Sequence, residues 1–160
     1  MTHPSLGLPP SSLTTGFPNA ADRLRTEGRR LATRAVEVAA NEDPTYAERI
    51  GEAGLRNLLE DARVFIDRLA LCVAGDDSHW LREFADQTAT VYRRRGVSLD
   101  DVIKLFEGIR ASVRSVLTAG ELVPADAALD DSIEVFRFHR RLAGDARKRN
   151  PIIAAIYKGG

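Results

Sequence analysis

The 160-residue chain has little with which to staple itself together or to bind by stacking. A single cysteine, Cys72, rules out an intramolecular disulfide. Its neighbours Ala70, Leu71, Val73 and Ala74 read it as a core filler. Aromatic residues make up 6% of the chain, which leaves few platforms for single-stranded nucleic acid. Neither sign of charge is in excess, since 23 Lys and Arg balance 23 Asp and Glu. A protein built to grip phosphates shows a basic surplus, so nucleic acid is not the expected partner. No apolar run reaches the ~18 residues of a membrane span, and no basic-then-apolar leader opens the chain. The expectation is a cytoplasmic protein without a membrane role. His3, His79 and His139 are the only histidines. No pair has ligand spacing, and Cys72 lacks a CxxC partner, so no metal site is expected. P-loop, GxSxG and GxGxxG patterns are missing as well, and nothing supports an enzyme.

What is present is helical periodicity. A chain of this size forms one domain that buries roughly 70% of its unfolded surface. Residues 1–18 hold four of the seven prolines and read as a flexible lead-in, with residues 19–160 as a single helical domain. A first helix capped by Asn19 carries Ala21, Leu24, Gly28, Leu31, Ala35 and Val38 on one stripe and ends at Asn41–Pro44. A second opens on a Thr45–Glu48 capping box and runs to Ala74 through Ile50, Leu58, Phe65, Ile66 and Leu69, with a break expected near Gly54 and Gly75 as its terminator. A third, with Leu81, Phe84, Ala85 and Tyr92, closes on Arg93–Arg95. Gly96 then turns the chain, Ser98 and Asp101 form a capping box, and Val97 and Val102 form the staple. The fourth helix carries Val102, Phe106, Ile109 and Val113 and is stopped by Gly120. The fifth begins near Pro124 and carries Leu129, Ile133, Phe136 and Ala143, with Val135, Phe138 and Leu142 widening its stripe. No strand alternation appears. The fold class is therefore all-α, an antiparallel bundle of about five helices or a globin-like stack.

Three candidate sites emerge. His139, flanked by Phe136 and Phe138, has the setting of an axial haem ligand. The competing reading is a surface or half-buried histidine beside Arg140 and Arg141, and on that reading there is no cofactor. Trp80 either lines such a pocket or caps the core. The segment Arg95, Gly96, Val97, Ser98 and Asp101 outlines a helix-turn-helix, but Asp100 and Asp101 would face phosphates at the start of a recognition helix. An ordinary helical hairpin is the expected reading. Finally, Ile152, Ile153, Ile156 and Tyr157 form an apolar tail too short to be stable alone, so it either folds back or docks in an interface.

The stretch TATVYRRRGVSLDDVIKLFEGIRASVRSVL, with RAVEVAANEDPTYAERI upstream, resembles the RsbRD-type N-terminal domains of RsbT co-antagonist proteins of bacterial stress signalling. Similar helices open some histidine kinases and PucR-type regulators. The outline maps onto Arg94, Arg95, Gly96, Val97, Ser98, Leu99 and Asp101, followed by Phe106 and Arg110, and it covers roughly residues 34–117. The resemblance implies a non-catalytic sensory or regulatory module of globin-like or bundle form that sits ahead of an output domain. None follows within these residues, which leaves a fragment of a longer regulator or a module acting alone through a partner. The leading expectation is a regulatory domain that works by protein–protein contact, as a homodimer. The alternative is a sensor holding haem or another apolar ligand between the second, fourth and fifth helices.

Overall fold

The computed structural model describes residues 16–149; beyond residue 144 it gives only the helical path of the backbone. Six helices and no strand occur among the described residues: α1 Pro18–Thr26, α2 Gly28–Glu42, α3 Tyr46–Gly75, α4 His79–Arg95, α5 Leu99–Val113 and α6 Ala119–Arg149. The fold is an all-α bundle. Helix α3 is its axis, and α2, α5, α6 and α4 follow one another around it. Among the described residues, no helix is long and apolar enough to cross a membrane.

The stripes read from the sequence face this core. Leu24, Leu31, Ala35, Phe65, Ile66, Leu69, Leu81, Phe106, Ile109, Leu129, Ile133 and Phe136 are all buried, as is Cys72. Phe65 on α3 stands edge-to-face against Phe84 of α4 and Phe106 of α5, with centroids 5.7 and 4.7 Å away, and Phe106 meets Phe136 of α6 at 5.0 Å. Edge-to-face pairs add about 1 kcal/mol each beyond the area they bury. They also fill the space between α3, α5 and α6, where a ligand pocket was expected.

Several helix ends differ from expectation. The first helix is two helices: Glu27 takes φ −93° and ψ 5°, bending α1 away from α2. The apolar spacing runs unbroken through the bend, so it left no trace in the pattern. Phe17, not Asn19, precedes the first turn, and its N–H donates to the Val73 carbonyl at 2.9 Å. In α3 the break falls at Gly51 (φ 78°, ψ 168°) and not at Gly54. Its start has no capping box, because Thr45 is itself helical in backbone and its hydroxyl donates to Asp43. Its end turns on Asp76 (φ 50°) and not Gly75. Gly96 does take a left-handed conformation (φ 73°), as expected. Ser98, however, makes no side-chain cap bond, and the Asp101 carboxylate that would complete the box is held by Arg49 instead. Nor do α4 and α5 form a packed hairpin: beyond their shared turn α4 lies on α6 and α3, and α5 on α2 and α6.

The start of α6 was misplaced most. The helix begins at Ala119, with Gly120 in its first turn and Pro124 inside it. The signal is a Thr118–Glu121 capping box: the Thr118 N–H donates to Glu121 Oε1 at 2.9 Å, and the Glu121 N–H to Thr118 Oγ1 at 3.3 Å. Finally, α2 and α5 cross so closely that a Cβ on Gly108 would collide with the Ala35 carbonyl.

Two substitutions test these junctions. Gly108→Ala should lower unfolding stability by about 2–3 kcal/mol, since the opposing atoms are backbone and cannot rotate away. Gly96→Ala should cost about 1 kcal/mol for its positive φ. Gly28→Ala, where a Cβ meets nothing within 4 Å, is the control and should stay within about 0.5 kcal/mol of wild type by urea denaturation.

Candidate functional site

The densest polar cluster lies where α2 ends and α3 and α5 begin. Asp43 follows the last turn of α2, and one of its oxygens accepts from the Thr45 N–H (3.1 Å) and hydroxyl (2.8 Å). The other accepts from Arg49 Nη2 at 2.6 Å and Lys104 Nζ at 2.7 Å. Arg49 Nη1 reaches both oxygens of buried Asp101, at 3.0 and 2.9 Å. The Tyr46 hydroxyl, also buried, donates to the Asp101 carbonyl at 3.1 Å. The Lys104 ammonium, with Thr45 and Arg49, holds the Asp43 carboxyl far below the usual carboxylate range. Burial, reinforced by the Asp101 charge, pushes the Tyr46 phenol well above its ordinary value. Each group already has its partner, so the cluster acts as a clasp between three helices. Asp101, expected to cap α5, is a ligand of this clasp instead.

Several other titratable groups are similarly engaged. Arg110 of α5 holds Glu107 at 3.1 Å, Asp126 at 2.9 Å and Asp130, tying α5 to α6. Arg23 of α1 donates to the Val116 carbonyl at 3.0 Å and to Glu121, which it holds below its ordinary pKa. The Tyr92 hydroxyl donates to Asp61 at 2.7 Å. Burial raises the Cys72 thiol, which disfavours the reactive thiolate.

No family model matches the chain, and no curated protein matches it.

The haem candidates are not gathered around one opening. Phe136 is wholly buried in the ladder, whereas Phe138 is 50% exposed and Trp80 45% exposed, so Trp80 does not cap the core. His139 is buried, with Nε2 2.7 Å from Asp86 Oδ1 of α4 and Nδ1 enclosed without a partner among the described residues. Iron ligation at Nε2 would break that pair. Among the described residues no cluster of three metal-ligating side chains occurs. Ile152, Ile153, Ile156 and Tyr157 lie outside the described residues.

Two surface features remain that the sequence did not single out. One is an open groove of about 590 Å³ between α2 and the end of α5, lined by Arg30, Thr33, Arg34, Glu37, Ser112 and Ser115. Its arginines pair with Glu27 and Glu37, and its hydroxyls donate to the carbonyls of Arg29, Ile109 and Ser112, so no polar group is left aimed into it. The other is the outer face of α6. Phe138 and Leu142 stand exposed there and do not widen the core stripe as their spacing suggested, whereas half-buried Val135 beside them packs against the core edge as expected. Helical spacing alone cannot say on which side of its stripe a flanking residue falls.

The clasp has a pH signature. A carboxyl depressed in the folded state stabilises the fold above its ordinary pKa of about 4, and that contribution drains away as pH falls through the lower folded value. Asp43→Asn should therefore lower the melting temperature at neutral pH. The gap from wild type should be constant above about pH 5 and close as pH drops below about 4, as read by thermal melts at stepped pH.

Proposed function

We propose that this protein is a non-catalytic regulatory helical module that acts by binding another protein surface. The observation that supports this reading most directly is the outer face of α6: the ladder already fills the core, yet Phe138 and Leu142 stand exposed at 50% and 42% beside half-buried Val135. Apolar side chains gathered in this way on a helix face mark contact sites more often than isolated ones do. The likeness of residues 34–117 to RsbRD-type sensory domains, which carry bacterial stress signals through protein contacts, points the same way. So does the commitment of Tyr46, Tyr92, Cys72 and His139 to internal partners, which leaves them poorly placed for chemistry. A cytoplasmic setting and a place in stress signalling belong to the same proposal.

The experiment is site-specific photo-crosslinking in cells that carry the gene. A photoreactive phenylalanine analogue at position 138 should give discrete protein adducts, and the same group at Glu52, whose side chain is 89% exposed, should not. Absence of protein adducts at 138, or identical adducts at both positions, would overturn the reading.

A further inference from the structure

The charges of α6 are sorted along its length. From its start to Glu134 the helix carries Glu121, Asp126, Asp130, Asp131 and Glu134 and no cation. From there to its end it carries Arg137, Arg140, Arg141, Arg147, Lys148 and Arg149, against Asp145 alone. The changeover falls between Glu134 and Arg137, beside half-buried Val135 and exposed Phe138. Much of the pattern is matched inside the molecule: Glu121 with Arg23, Asp126 and Asp130 with Arg110, Arg140 with Asp100. Asp131, one turn before Val135, and exposed Arg141, between Phe138 and Leu142, have no ion-pair partner among the described residues.

A helix face with one sign of charge before an apolar centre and the other sign after it complements itself when turned end for end. We infer that the partner of this face is a second copy of this chain, docked with the two α6 helices antiparallel across a two-fold axis midway between Val135 and Phe138. In that arrangement Phe138 of each copy lies on Val135 of the other. Asp131 lies opposite Leu142 of the second copy and within reach of its Arg141, and the contact occurs twice by symmetry. Residues 131–142, which pair among themselves about this axis, span about 17 Å of helix. A parallel arrangement would set acid on acid and base on base. This inference rests on the proposal that the outer face of α6 binds protein, and it names the protein.

The test uses the full chain at about 100 µM and low salt, by sedimentation velocity. Wild type should be a dimer. Asp131→Lys and Arg141→Glu should each be monomeric or weakened about tenfold or more, because each places like charges opposite one another twice. An equimolar mixture of the two should regain a wild-type-like dimer, since Lys then meets Glu at one contact and Asp meets Arg at the other. Regained dimer also shows that both variants fold. Should either prove insoluble, Phe138→Ser takes its place and should dissociate the dimer with unchanged helical circular dichroism. A monomeric wild type, or a mixture that stays monomeric, overturns the inference. A monomeric wild type that still gives protein adducts at position 138 in cells overturns only the second copy as partner; loss of those adducts overturns the binding face itself.

Discussion

The packing of four of the six described helices turns on the contacts Phe65 makes in α3. One ring touches Phe84 on one side and Phe106 on the other, and Phe106 passes the contact on to Phe136. Four helices therefore take their rotation from a single edge-to-face ladder. Edge-to-face packing is directional in a way that aliphatic packing is not, because each ring edge must meet the face of the next. Once the ladder fixes α3, α4, α5 and α6, the remaining stripes can bury Leu69, Leu81, Ile109 and Leu129 only in one register. Interiors are packed to crystal-like density, so a rotation of one member would open voids beside the other three.

The ladder does not reach α1 and α2, and these are held by two different devices. Small residues let α2 approach α5: Ala32, Ala35 and Ala39 are buried on one helix and Gly108 and Ser112 on the other, and the Ala35 carbonyl stands directly against Gly108. The clasp of Asp43, Arg49, Asp101 and Lys104 then fastens the end of α2 to the starts of α3 and α5. Gly51 makes this possible. Its φ of 78° separates the turn bearing Tyr46 and Arg49 from the body of α3, so the turn can lean on α5 while the body follows the ladder. At the other end, Arg23 binds the Val116 carbonyl and Glu121, seating α1 on the loop before α6.

The stripes were legible because burial imposes a period that few other constraints imitate, and most residues placed on them are buried. The ends were less legible, for identifiable reasons. Thr118 and Glu121 carried a capping box in plain view, but Gly120 and Pro124 beside it argue locally for a stop and a later start. Asp101 has the spacing of a cap for Ser98, yet a guanidinium 2.9 Å away from another helix outcompetes a backbone N–H, and that competition is tertiary. Glu27 bends the chain without disturbing the i, i+3, i+4 spacing. The groove between α2 and α5 and the clasp join residues that are tens of positions apart, which no local pattern encodes.

The outer face of α6 poses a different problem, because its charge order has an intramolecular explanation that covers only part of it. Acid early and base late suits the helix dipole, but that interaction fades within the first and last turns. Glu121 stands near enough to the start to benefit, whereas Asp130, Asp131, Glu134, Arg137 and Arg141 lie in the interior of a helix that runs to Arg149. Arg110 accounts for Asp126 and Asp130, and Asp100 for Arg140. Glu134 and Arg137 form an exposed pair one turn apart, which contributes only a few tenths of a kcal/mol. Neither dipole nor internal pairing therefore explains why the sign changes where Val135, Phe138 and Leu142 come to the surface. A surface that must fit its own image explains both at once: an antiparallel symmetric contact requires opposite signs on either side of its axis and apolar side chains upon it.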